Sequence, residues 1–289
     1  MRPHSSRDFS MFRASFLISL LFFGLASLPA AACGVRTDCE VQNGNYRIYL
    51  PESWTNGDGG LADPSVPRGA VLFFHGWKGS SGSTMNNRRL REAASDLGIA
   101  LVAPNGVDGA WSYPQSPVVE RDGLAYTQAV LDDLEQRFGI RSERVMAAGF
   151  SLGGSMVWNL SCYLGDQFAG FSPIAGTFWV PLPTSCPSDV PNLIHYHGTK
   201  DGTFPLAGRS VANGRFQQGD TLRSLDMWKS QGTCETEEPQ LTISGALHCE
   251  RRSACGGGVL ELCLHDGGHI YRADWIKRSW KILASIKGW

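Results

Sequence analysis

The 289-residue chain reads as an α/β fold, a mostly parallel central sheet with helices on both faces. Two observations predict it. Apolar runs of strand length recur at Tyr46–Leu50, Ala70–Phe74, Ala100–Ala103, Val145–Ala148, Gly170–Ile174, Leu193–Tyr196 and Val259–Leu264. Between them lie segments whose apolar residues recur at helical spacing: Asn87–Leu97, Leu124–Phe138, Leu152–Tyr163, Thr221–Gln231 and Ala273–Ile286. A strand that is apolar throughout has no solvent face, and an interposed amphipathic helix lets the next strand run parallel. Gly57–Arg68 and Thr203–Gly219 carry the Gly and Pro punctuation of surface loops, not of domain boundaries. Residues 33–289 therefore read as one domain.

The first 32 residues have a different character. Arg2, Arg7 and Arg13 precede the uncharged apolar run Phe16–Ala26, and Ala30-Ala31-Ala32 follows, the layout of a cleaved export signal. The run is too short to span a bilayer, and no later stretch is a better candidate. Export leads to the periplasm or the cell exterior. Cys33 directly follows the expected cleavage site, but Ala30 stands where a lipidation signal has leucine. The eight cysteines (Cys33, Cys39, Cys162, Cys186, Cys234, Cys249, Cys255, Cys263) all lie beyond the signal. Their even number suits a disulfide framework in an oxidising compartment. Pairing by nearness gives Cys33–Cys39, Cys162–Cys186 and Cys249–Cys255, leaving Cys234 with Cys263. No C-x-x-C pair calls for a metal. The whole chain carries a net charge of -1, and the signal contributes +2 (three Arg, one Asp), so the remainder is at -3. No clustered basic patch calls for nucleic acid.

The chemistry centres on Gly149-Phe150-Ser151-Leu152-Gly153. A serine at a sharp strand-to-helix turn takes strained backbone angles, and glycines on either side leave room for the close turn. The pattern alone is common; the strand Val145–Ala148 before it and the helix Leu152–Tyr163 after it supply the confirming context. A serine hydroxyl needs a base to remove its proton. In a nucleophile elbow of this kind the acid follows in the chain, and the histidine comes last. Asp201 ends His197-Gly198-Thr199-Lys200-Asp201, directly after the strand Leu193–Tyr196; Asp189 and Asp220 follow no strand so closely. His269 comes after Val259–Leu264 through Asp266-Gly267-Gly268, whereas His75, His195, His197 and His265 lie in or at the ends of strands. Donors for an oxyanion are expected from the backbone N–H of Leu152 and of Trp77, the latter in the loop His75-Gly76-Trp77-Lys78-Gly79. Trp111, Phe178, Trp179 and Tyr271 sit in loops expected on the same sheet edge, and read as a substrate-binding aromatic lining.

With these residues in place, the chain resembles secreted polyhydroxybutyrate depolymerase-like esterases. That group is related to feruloyl and acetylxylan esterases of the α/β-hydrolase superfamily. The His75-Gly76 loop, the Gly149–Gly154 elbow, the His197–Asp201 segment and the Gly267-Gly268-His269 turn carry the resemblance. It implies an α/β-hydrolase fold, Ser151, Asp201 and His269 as a catalytic triad, and a small-molecule or oligomeric ester as substrate, without cofactor. No linker or polymer-binding domain is read in the chain, which favours short hydroxyalkanoate oligoesters over solid polymer. Plant cell-wall feruloyl or acetyl esters are the alternative. Two other classes compete. His195-x-His197 with Asp201 and His265 resembles a metallohydrolase set, but Asp201 lies four residues after His197 rather than two. A non-catalytic binding protein would have no use for a triad in this order.

Overall fold

The computed structural model describes residue 1 and residues 33–55 and 67–289; all but one residue of the expected export signal lies outside the described residues. Residues Cys33–Trp289 form one unit. Twelve strands are described: β1 Cys39–Val41, β2 Gly44–Tyr49, β3 Ala70–Phe74, β4 Ala100–Pro104, β5 Val145–Phe150, β6 Gly170–Ile174, β7 Leu193–Gly198, β8 Ser210–Val211, β9 Phe216–Gln217, β10 Gln240–Ser244, β11 Leu247–Cys255 and β12 Gly258–His265. The helices are α1 Ser81–Asn86, α2 Arg88–Leu97, α3 Gly123–Phe138, α4 Leu152–Tyr163, α5 Thr221–Gln231 and α6 Ala273–Lys287.

Ten strands form one sheet in the order β1-β2-β4-β3-β5-β6-β7-β12-β11-β10. The six from β4 to β12 run parallel, and the flanking pairs are antiparallel. Strand periodicity divides the core in two. On β3, Ala70, Leu72 and Phe74 join Tyr126, Val130 and Leu134 of α3 and Met156, Val157 and Trp158 of α4. Val71 and Phe73 point the other way, toward Met85 of α1, Leu90 and Ala94 of α2, and Trp275, Ile276 and Trp280 of α6. Every residue of β3, β4, β6 and β7 is buried, as continuous apolar runs require.

The expected helices and central strands are all present, with ends shifted by a residue or two. Asn87 is the N-cap of α2 rather than its first residue; its side chain accepts from the Leu90 N–H. Asp220, a rival for the catalytic acid, caps α5 by accepting from the Leu222 and Arg223 amides. Asp189 is exposed. Five strands, β1, β8, β9, β10 and β11, and the short helix α1 went unread. In β11 buried Leu247 and Cys249 alternate with exposed His248 and Glu250 before Arg251 and Arg252, and β10 is largely exposed, because this hairpin forms a partly solvated antiparallel edge.

That hairpin also corrects two of the four cysteine pairs. Cys33–Cys39 and Cys162–Cys186 are bonded as expected, but the others are Cys234–Cys255 and Cys249–Cys263. Cys249 and Cys255 lie on one strand, β11, and six residues of extended chain span roughly 20 Å. A disulfide tolerates Cα separations up to about 7 Å. Cys249 instead faces Cys263 across the β11–β12 ladder, with a Cα–Cα distance of 4.0 Å. Among the described residues no helix is long and apolar enough to cross a membrane. Four disulfides suit an oxidising compartment.

Non-reducing peptide mapping is expected to recover Cys249 linked to Cys263 and Cys234 linked to Cys255. A fragment joining Cys249 to Cys255 would contradict the strand register. Replacing Cys249 and Cys263 together by alanine should lower the unfolding free energy by about 3 kcal/mol, the loop-closure contribution of a ring of this size.

Candidate functional site

Strand order reverses at β3, whose successors β4 and β5 lie on opposite sides of it. The crevice at the carboxyl ends of such strands is where α/β sheets bind ligands. The loop after β3 and the turn after β5 meet there. Ser151 connects β5 to α4 with φ 58° and ψ -121°, a conformation that costs on the order of 1–3 kcal/mol. It is held by its own N–H, which donates to the Ile174 carbonyl at 2.9 Å, and by its carbonyl, which accepts from Ser155 at 3.0 Å. Glycine is obligatory on both sides: a Cβ on Gly149 would lie 2.4 Å from the Gly153 carbonyl oxygen, and one on Gly153 2.1 Å from that of Phe74.

Asp201 and His269 arrive from the neighbouring parallel strands β7 and β12. The loops that follow these strands are joined backbone to backbone: Thr199 N–H donates to the His265 carbonyl at 2.8 Å, and Lys200 N–H to that of Gly267 at 3.0 Å. A Cβ at Gly198 would lie 2.4 Å from the carbonyl oxygens of both Gly267 and Gly268, so the two loops are in backbone contact. This seam brings His269 Nδ1 to 2.7 Å from Asp201 Oδ2. The other carboxylate oxygen, Oδ1, accepts from the amides of Thr203 and Phe204, each at 2.9 Å. Asp201 is 5% exposed, so all of its acceptor capacity is directed inward. With Nδ1–H donating to the carboxylate, His269 keeps its lone pair on Nε2. Its ring lies 4.6 Å from that of Phe150, the residue before Ser151. Among the described residues no hydrogen bond joins His269 to Ser151; in free enzymes this contact commonly closes only when substrate is bound.

The loop after β3 lies against the elbow: a Cβ on Gly76 would be 3.5 Å from that of Ser151. The N–H of Trp77 has no acceptor among the described residues. Leu152 opens α4, where a helix leaves its first amides without intrahelical partners. His75 braces this loop from below. Its Nε2 accepts from the Gly106 N–H at 3.0 Å, which leaves Nδ1–H to donate to the Gly76 carbonyl at 2.9 Å. Burial pushes the His75 pKa down to about 4.

The expected aromatic lining divides. Trp179 lines a cleft of about 550 Å³ that opens on Ser151, together with Trp77, Val118, Phe204 and Phe216. Trp111, Phe178 and Tyr271 do not line it. Trp111 is buried beneath the loop after β3, where its indole N–H donates to the His75 carbonyl at 2.8 Å. Phe178 is buried edge-on against Trp158, 5.2 Å between centroids. Tyr271 packs on Phe73 and Phe150 and accepts from Asn87 Nδ2 at 2.7 Å, on the other side of the elbow. The far wall comes from residues 203–219, expected to be a plain surface loop. Phe204, Val211 and Phe216 are large apolar residues in a Gly-punctuated stretch, and they were the signal that this loop covers something. Arg209 is the one charged residue among those lining the cleft.

The metallohydrolase set is not free to bind an ion. His195 Nε2 and His197 Nδ1 are bonded to each other at 2.9 Å; the remaining ring nitrogens meet Trp158 Nε1 at 3.2 Å and the Phe204 carbonyl at 2.7 Å. The cysteines that gather near Glu237 and Glu261 are in disulfides.

His75, His195 and His197 all have pKa values lowered by burial. Each therefore favours the neutral form when folded. The stability this gives is fully present above the unfolded value of about 6.5 and is lost as pH falls, for His75 toward about 4. The melting temperature should decline on acidification through this window, and more shallowly in His75→Gln. A wild-type Tm that stays flat from pH 6.5 to 4 would contradict the neutral assignment.

No family model matches the chain. A Nocardia uniformis subsp. tsuyamanensis protein named as an esterase, NocK, is 30% identical over 236 residues, 72% of this chain and 67% of that one. Feruloyl esterase C of Emericella nidulans is 24% identical over 280 residues, 90% of this chain and 93% of its own length. Among solved structures, an acetyl xylan esterase from Aspergillus awamori superposes with a TM-score of 0.59 at 12% identity, covering 83% of this chain and 94% of that one; this shows a shared fold. The first of these likenesses spans two thirds of a relative, and the fold agrees with it: the chain belongs to the feruloyl and acetylxylan esterase-like family of α/β-hydrolases, as a serine carboxylic-ester hydrolase.

Proposed function

We propose that this esterase cleaves feruloyl-type esters, in which an aromatic acid is joined to an alcohol, with Ser151 as nucleophile, His269 as base and Asp201 as the group that orients the base. The observation that carries the reading is the 2.7 Å contact between His269 and Asp201, made beside the strained turn at Ser151. Ser151 Oγ attacks the ester carbonyl and passes its proton to His269 Nε2. Asp201 holds Nδ1–H and stabilises the imidazolium. Negative charge on the tetrahedral oxygen falls to the amides of Trp77 and Leu152, each such donor being worth about 2.7–4 kcal/mol. The protonated His269 then gives its proton to the departing alcohol, leaving an acyl-enzyme that water, deprotonated by the same ring, releases as the free acid. Trp77, Trp179, Phe204 and Phe216 line the cleft, which favours a flat, apolar acyl group. The likeness to feruloyl esterase C over most of both chains supports the same substrate class. Action follows export through the signal at residues 1–32, in the periplasm or outside the cell.

Ser151→Ala should lower kcat/KM by on the order of 10⁴ or more and abolish labelling by a fluorophosphonate, with Tm unchanged. Full activity in this variant would remove Ser151 from the mechanism. Compared by kcat/KM, methyl ferulate should exceed both acetylated xylan and hydroxybutyrate oligomers, the latter being the substrates that the sequence resemblance put first. The reverse order would leave the triad standing and reassign the cleft.

A further inference from the structure

We propose that His197, held by His195 and Trp158, is a positioning residue that reserves one oxygen of Asp201 for His269. The proposal rests on the triad reading. On β7 the side chains alternate, so His195 and His197 share a face; both are fully buried. Their protons are located by the ends of the chain they form. An indole N–H can only donate, so Trp158 Nε1, 3.2 Å away, requires a lone pair on His195 Nδ1. The His195 proton is then on Nε2 and is donated to His197 Nδ1 at 2.9 Å. That leaves the His197 proton on Nε2, where it is donated to the Phe204 carbonyl at 2.7 Å, an atom that can only accept. No tautomer is left undetermined, and both rings are neutral.

The consequence falls on the peptide groups of Phe204. Its carbonyl is bound by His197 and its N–H by Asp201 Oδ1 at 2.9 Å, so one residue is clamped between the acid and the histidine chain. His197 Nε2 lies 3.7 Å from Asp201 Oδ2, too far for a hydrogen bond, because its single proton is already directed at Phe204. Oδ2 is left to His269. A His197 ring with the other tautomer would release Phe204, and a charged ring would compete with the imidazolium of His269 for the same carboxylate. Trp158, which does not line the cleft, thus selects the arrangement that Asp201 needs. Phe204 also lines the cleft, so the same clamp sets one wall of the substrate site.

The test is a double-mutant cycle read as kcat/KM on a 4-nitrophenyl ester, with Tm measured in parallel. His197→Asn, which keeps the acceptor toward His195 but loses the donor toward Phe204, should lower kcat/KM by about 10–100-fold, the range of coupling within one polar network. His197→Gln, whose amide can reach Phe204, should recover most of that loss. In an Asp201→Asn background, itself reduced by on the order of 10⁴, His197→Asn should cost no more than about twofold, since the group it acts through is gone. Trp158→Phe, which removes the indole N–H together with part of the ring, provides a second route to the same cycle if His197→Asn folds poorly, with Tm separating the packing loss from the loss of the donor. Equal losses in both backgrounds, or no loss beside intact Asp201, would overturn the proposal. Near-normal activity of Asp201→Asn alone would instead remove Asp201 from the triad, and the positioning role with it.

Discussion

Asp201 and His269 meet because β7 and β12 run parallel as neighbours and their exit loops have no side chains at the line of contact. Gly198, Gly267 and Gly268 let the two backbones touch, and two amide-to-carbonyl bonds then fix the register of one loop on the other. The 2.7 Å contact between carboxylate and imidazole follows from that register and needs no flexible reach. A bulkier residue at position 198 would separate the strands' ends before it altered any atom of Asp201 or His269. The strained serine depends on a similar economy at β5, where glycine backbone occupies the space that a Cβ would claim.

Three buried histidines are arranged to carry no charge. His75, His195 and His197 each have both ring nitrogens engaged and are held neutral by burial. Two of them support main-chain segments of the site directly: His75 the loop after β3, and His197 the carbonyl of Phe204. Neutral imidazole suits this work, since it offers one donor and one acceptor in a rigid plane without the desolvation cost of an ion. Arg278 and Glu261 solve the opposite problem on the far side of the sheet, pairing in a bidentate ion pair with both contacts at 2.8 Å.

The central strands and their helices were legible because burial on both faces leaves a continuous apolar run that polar edges do not share. The elbow was legible because strand, turn and helix follow one another within twenty residues. The site needed more than local pattern. Two cysteine pairs were misassigned because nearness in sequence ignores that an extended strand carries its ends apart, and the β10–β11 hairpin that decides the pairing was hidden by its charged, half-solvated alternation. Trp111, Phe178 and Tyr271 were grouped with Trp179 because loop position does not say which way an aromatic ring faces. Residues 203–219 looked like a surface loop, and only the fold shows that Phe204 and Phe216 turn inward.

In the proposed mechanism, residue 77 separates two tasks that are often joined in one side chain. Its amide, the proposed oxyanion donor, belongs to a loop braced by His75 and Trp111, while its indole is 56% exposed at the mouth of the cleft. Exchanging that indole for another side chain would leave the backbone donor where it is. On that reading, a substitution at this position changes which esters are admitted and leaves the bond-breaking donor in place.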